Sequence, residues 1–190
     1  KEFPNIKTQL QIYQVQLKNR REVKNDRIKW FHLHWPRDRK FFANGPKIVS
    51  AIRTASPCCF YTEAEYYGSR AMNFIKTDRI NLKYLTGLLN SRLSHFWLKN
   101  KGKQLGDLLQ IDKGPLLNIP LLQPDEKSQE QIAQLVDKVT ELYQDFRNTS
   151  KNTDKWHLLK SEIEKVEQQI DNEIYKLYGL TDEEIKIIEQ

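Results

Sequence analysis

The chain has 190 residues, 38% of them hydrophobic and 29% charged. That is long enough to bury a real core and too polar to contain a membrane span of about 20 apolar residues. Seven Gly and seven Pro exclude collagen-like and linker-like compositions. The net charge of +6 is unevenly spread: residues 1–124 hold 22 Lys/Arg against 9 Asp/Glu, a net of +13, and residues 125–190 hold 9 against 16, a net of −7. Such a split separates a basic region suited to a polyanion from an acidic one that is not. The adjacent pair Cys58 and Cys59 gives no disulfide framework, so a reducing, cytoplasmic setting is expected. The opening Lys1-Glu2-Phe3-Pro4 is neither a signal peptide nor an initiator Met, and the only Met is Met72, so the chain reads as part of a longer protein.

Apolar spacing at Ile6, Leu10, Tyr13 and Leu17 predicts a helix over 6–21. Short strands are predicted at Trp30–His34, Lys47–Ala51, Cys58–Thr62 and Asn73–Lys76, bounded by turn formers such as Pro36, Asn44-Gly45-Pro46, Ser56-Pro57 and Tyr67-Gly68-Ser69. A helix over 82–98 follows, capped by Asn81, with Leu82, Leu85, Leu88, Leu89, Leu93, Phe96 and Trp97 on one face. Next come a Gly-broken stretch, Lys101 to Gly106, and an apolar segment, Leu116 to Leu122, closed by Pro124.

Ser128 and Gln131 have the spacing of a capping box ahead of the stripe Ile132, Leu135, Val136, Val139, Leu142, Tyr143 and Phe146. After the polar turn 148–153, Trp156, Leu159, Ile163, Val166, Ile170, Ile174 and Leu177 form a coiled-coil seam of about three heptads. Gly179 stops it, and Thr181 with Glu184 opens one more short helix. The pattern predicts an α+β fold: a small mixed β-sheet domain with packed helices over 1–124, then an acidic antiparallel helical hairpin with a short terminal helix over 125–190. The hairpin seam has two uses open to it, packing on the basic domain or meeting a partner.

Catalytic fingerprints are missing. Gly102 and Gly106 fit neither nucleotide-binding loop, and there is no Ser nucleophile elbow. His32 and His34 alternate on a presumed strand, but no third metal ligand accompanies them. Glu183, Glu184 and Lys186 on a terminal helix read as solvated charge. No catalytic residue and no metal site are expected.

Cations interleaved with aromatic rings are the positive signal. The segment 29–42 places Lys29, Arg37, Arg39 and Lys40 among Trp30, Phe31, Trp35, Phe41 and Phe42. Lys and Arg neutralise phosphates and release counterions, and Arg can also read guanine edges. A second cluster, from Tyr61 to Asn73, includes Tyr66 and Arg70 in a polar loop; a third run is Lys99, Lys101 and Lys103.

The order of short motifs carries a resemblance. Phe3-Pro4-Asn5-Ile6 opens the chain. Pro46-Lys47-Ile48-Val49, Phe60-Tyr61, Asn73-Phe74-Ile75 and Tyr84-Leu85-Thr86-Gly87-Leu88-Leu89-Asn90-Ser91 follow. Lys113-Gly114-Pro115-Leu116, Ile119-Pro120 and the tail Tyr178-Gly179-Leu180-Thr181 complete the series. This resembles the TaqI-like C-terminal specificity (target recognition) domain of type II and IIG restriction–modification DNA adenine methyltransferases, including those fused to endonucleases. The resemblance implies a domain that grips double-stranded DNA opposite a separate catalytic methyltransferase domain of the parent chain. That other domain would bind S-adenosylmethionine and hold a flipped adenine at an Asn-Pro-Pro-Tyr type motif, which this sequence lacks. No cofactor is expected in this fragment. Type I specificity subunits are similar too, through Ile119-Pro120-Leu121 followed by Ser128-Gln129-Glu130-Gln131-Ile132.

The expected DNA-binding residues are Lys29, His34, Arg37, Arg39, Lys40, Lys47, Arg53, Tyr66, Arg70, Lys99, Lys101 and Lys103. Lys would fix register on phosphates while Arg and Tyr on loops read base edges. The rival reading is a helical interaction module whose basic surface is incidental, and an autonomous methyltransferase or nuclease is the third.

Overall fold

A computed structural model of the chain describes residues 4–33 and 38–190. The chain forms two compact units, Lys1–Phe41 and Phe42–Gln190. The charge boundary at 124/125 therefore falls inside the second unit.

In the first unit the expected single helix is three: α1 (Pro4–Ile12), α2 (Gln14–Lys18) and α3 (Arg21–Lys24). The apolar stripe finds little to bury against, with Ile6 56% and Tyr13 46% exposed, so only weak local propensity holds a long helix together. The strand expected at Trp30–His34 is absent over its described residues, which form a turn closed by His32 N–H on the Lys29 carbonyl. The Arg20 guanidinium donates to the Trp30 and His32 carbonyls at 2.7 and 2.9 Å. Those acceptors are thereby occupied without a strand partner.

The second unit holds two small sheets. One is β1 (Lys47–Ala51) between β3 (Cys59–Thr62) and β4 (Met72–Ile75); the other is β6 (Leu108–Gln110) between β2 (Arg53–Thr54) and β5 (Lys103–Leu105). All four pairings are antiparallel, not mixed. β3 and β4 run the same way but lie on opposite sides of β1, so no parallel pair forms.

Residues opposite one another in a ladder share a face. On one face of the first sheet lie Ile48, Ser50, Cys59, Tyr61, Asn73 and Ile75. This face meets α4 (Leu82–Asn90) and the main core. The other face carries Lys47, Val49, Phe60, Thr62, Phe74 and Met72, and aromatic side chains cover it. Phe42 stacks on Tyr67 and meets Phe74 edge-on at 5.1 Å, and Tyr66 packs on Phe60 at 5.2 Å. Asn90 pairs with the backbone of the edge strand, accepting from Cys59 N–H at 2.7 Å and donating to the Cys59 carbonyl at 2.8 Å.

The helix expected over 82–98 is α4 followed by α5 (Arg92–Lys101). Ser91 leaves helical space at ψ 157° and its hydroxyl caps α5 by accepting from Ser94 N–H. The apolar face continues across this break: Leu82, Leu85, Leu88, Leu89 and Leu98 are all buried. After a short α6 (Lys113–Leu117), Tyr84 and Tyr178 strap the following segment by donating to the Leu122 and Pro120 carbonyls at 2.9 and 2.7 Å.

The hairpin is α7 (Glu126–Arg147) and α8 (Asp154–Tyr178). Its cap is Asp125, not Ser128: the Asp125 carboxylate accepts from both the backbone N–H and the hydroxyl of Ser128. A charged acceptor one turn earlier satisfies the orphan donors first. Gly179 ends α8 in left-handed backbone at φ 63°, and the capping box of Thr181 and Glu184 starts α9 (Asp182–Ile188). The seam residues Leu159, Ile163, Val166, Ile170 and Ile174 are buried inside the unit, and Val166, Ile170 and Ile174 share one core with Ile132, Val136 and the leucines of α4. Of the two uses open to the seam, packing is the one this fold makes of it. The hairpin reaches α4 at Gly87, where an added Cβ would stand 3.0 Å from methyls of Ile132 and Val136.

Candidate nucleic-acid interface

His34 and Arg37 lie outside the described residues. In the first unit Lys29, Arg39 and Lys40 are exposed. Arg39 and Lys40 sit on a 3-10 turn, Arg39–Phe41, whose start is held by Lys40 N–H on the Asp38 carboxylate at 2.9 Å.

The second unit gathers a cation group around its smaller sheet. Arg53 and Lys103 both pair with Gln110, from β2 on one side and β5 on the other. The three residues form one cross-strand row, with neighbouring strands about 4.8 Å apart. In the adjacent row Leu109 is 5% exposed and points to the core, so Arg53, Gln110 and Lys103 occupy the outward face.

Ile52 joins the two sheets. Its N–H donates to the Ala71 carbonyl at 2.9 Å and its carbonyl accepts from Ile111 N–H at 2.7 Å. Arg70, next to Ala71, and Arg53, next to Ile52, are therefore backbone neighbours at this junction. Lys99 and Lys101 are exposed on the last turn of α5, which runs through Gly102 into β5. Gly102 is needed there because a Cβ would stand 2.3 Å from the Leu98 carbonyl oxygen. Arg53, Arg70, Lys99, Lys101 and Lys103 are all named from the sequence, whereas the hairpin that carries Lys103 and Gln110 is not. Its signal was Gly106-Asp107 between Leu105 and Leu108: Gly at φ 60° opens a tight two-residue turn.

Tyr66 is half-buried among Phe60 and Phe74, and Tyr67 is 62% exposed. The phenol of Tyr61 donates to Glu63 and that of Tyr67 to Glu65. Burial, helped by the Glu63 carboxylate, pushes the Tyr61 phenol up to about 12. Burial likewise pushes the Cys59 thiol up to about 12, which keeps it protonated and unreactive.

Lys47 needs correction as a phosphate contact. It is wholly buried, and its ammonium donates to the carbonyls of Ala43, Gly45 and Ala64 at 2.9, 3.0 and 2.6 Å. Burial first, and the nearby Lys76 second, hold its pKa below the ordinary lysine value. A spent, enclosed donor cannot reach a phosphate.

The arrangement can bind a polyanion. Among the described residues no group of three or more His, Cys, Asp or Glu is placed to hold a metal, and no helix is long and apolar enough to cross a membrane. Comparison with curated proteins returns no match. The family described as the TaqI-like C-terminal specificity domain matches residues 5–121. This chain belongs to that family. The specificity domain is a DNA sequence-recognition domain of a restriction–modification enzyme. The match runs from α1 to the segment after α6 and stops before the acidic hairpin. The hairpin packs on α4, inside the matched region, so it completes the core of the specificity domain.

Proposed function

We propose that this specificity domain supplies site recognition to a cytoplasmic DNA adenine methyltransferase whose catalytic domain is a separate body. The row of Arg53, Gln110 and Lys103, with Lys99, Lys101 and Arg70 beside it, is the observation that carries this reading. Lys99, Lys101 and Lys103 would neutralise phosphates, while Arg53, Gln110, Arg70 and the 63–71 loop approach base edges. Lys29, Arg39 and Lys40 are exposed within the first unit, where Lys29 and Lys40 are read as phosphate contacts and Arg39 as a base reader.

S-adenosylmethionine belongs to the other domain. The cleft of about 270 Å³ in the second unit is lined mainly by Leu, Ile, Phe and Trp side chains, with Ser94 and Glu184 among its few polar groups. That lining does not fit a charged, hydroxyl-rich nucleoside, and no step is assigned to it.

Selection of bound duplexes from a randomised pool, followed by titration against salt, tests the proposal. An enriched sequence and a steep salt dependence are expected. Lys101→Ala should lower affinity for all duplexes and reduce the salt slope by about one unit. Arg39→Ala should weaken the enriched duplex more than unrelated ones. Absence of any enriched sequence at low salt overturns the recognition role.

A further inference from the structure

We infer that Lys47 is a positioning residue for the 63–71 loop: a clasp that sets where Tyr66, Tyr67 and Arg70 stand against DNA. The inference rests on the recognition reading above and concerns a residue that reading leaves without a contact.

β1 begins at Lys47, opposite Thr62, on the sheet face that the loop covers. An ammonium has three donors, and here all three are taken by main-chain carbonyls. Those carbonyls come from two segments: Ala43 and Gly45 before β1, and Ala64 just after β3. Two backbone bonds lace the same segments, Gly45 N–H to the Glu63 carbonyl at 2.7 Å and Tyr66 N–H to the Phe42 carbonyl at 3.0 Å.

The far end of the loop is tied by Ile52 N–H on the Ala71 carbonyl. Between these anchors the backbone lies directly on the sheet, since a Cβ at Gly68 would meet the Phe74 ring at 2.7 Å. Tyr67 and Arg70 remain exposed on this tethered span. An apolar side chain at 47 would fill the space and leave three converging acceptors without their shared donor. The charge at 47 therefore acts on DNA through the loop, not on the phosphate.

The test uses the full chain and the duplex that wild type enriches from a random pool. For Lys47→Met the affinity for that duplex should fall about tenfold or more, the size of one lost base contact. Affinity for unrelated duplexes should stay within about twofold, with the salt slope unchanged, because no phosphate contact is removed. Amide hydrogen exchange over 63–66 should quicken in the variant. Val166→Ala, a core truncation in the hairpin, should leave the preference between duplexes intact.

Equal binding of the enriched duplex by Lys47→Met, or a slope lower by about one unit, overturns the inference. Should the variant not fold, exchange in wild type decides: protection of the Gly45 and Tyr66 amides equal to that of β1 supports the clasp, and rapid exchange there overturns it. If wild type enriches no sequence, the recognition reading fails instead, and the clasp with it.

Discussion

Replacing Asp171 by Asn should remove a pH dependence that burial builds into the fold. Asp171 sits on α8, only 6% exposed, and accepts from Arg92 N–H at 2.9 Å, so it caps α5 from a neighbouring helix. The Arg92 side chain also lies 3.5 Å from the same carboxylate and 3.2 Å from Glu189. Burial outweighs these favourable partners and pushes the carboxyl from 3.8 up to about 6. A carboxyl with a raised folded pKa adds stability that is fully present below the unfolded value, near pH 4, and is lost as pH rises through about 6. A shift of roughly two units corresponds to about 3 kcal/mol. Asn keeps an oxygen for the Arg92 amide but cannot ionise. Urea unfolding followed by circular dichroism between about pH 4 and pH 8 gives the difference between wild type and Asp171→Asn. Wild type should lose about 3 kcal/mol relative to the variant across that range, with the midpoint near pH 5 to 6. A flat difference, or a wild type that gains with rising pH, would refute the reasoning. The second result would mean that Arg92 and the α5 N-terminus outweigh burial.

Three further substitutions probe the framework under the interface. Gly102→Ala should cost about 1–3 kcal/mol or more, because its Cβ has only 2.3 Å to the Leu98 carbonyl oxygen; an unchanged urea midpoint would show that the α5–β5 junction yields easily. Gly87→Leu should destabilise by about 3 kcal/mol in thermal or urea unfolding by driving α7 off α4, where Ile132 and Val136 already crowd the site. Tyr84→Phe should cost about 1 kcal/mol and quicken amide exchange near Leu122, whose carbonyl loses its 2.9 Å donor.

Local chemistry alone determined several features of this protein. The stop at Gly179 and the box at Thr181 were legible because each depends on neighbours within a few residues, and the bounds of β1 at Lys47 and Ala51 were legible from the turn formers on either side of its apolar run. The hairpin helices were legible too, since their apolar stripes repeat at helical spacing whatever they pack against. Two sites escaped because a stronger local competitor stood nearby: Asp125 displaced Ser128 as a cap, and Ser91 split the leucine-rich helix.

Tertiary structure decided the rest. Lys47 and Lys101 look alike in the sequence, yet one ammonium is enclosed by carbonyls of residues 43, 45 and 64 while the other is exposed. Arg53 and Lys103 are fifty residues apart in sequence and two strands apart in space, joined only by the register of Gln110. Sequence states which side chains carry charge. Whether a charge meets solvent, a carbonyl or another cation depends on chain segments brought together from a distance, and that information resides in the packed core.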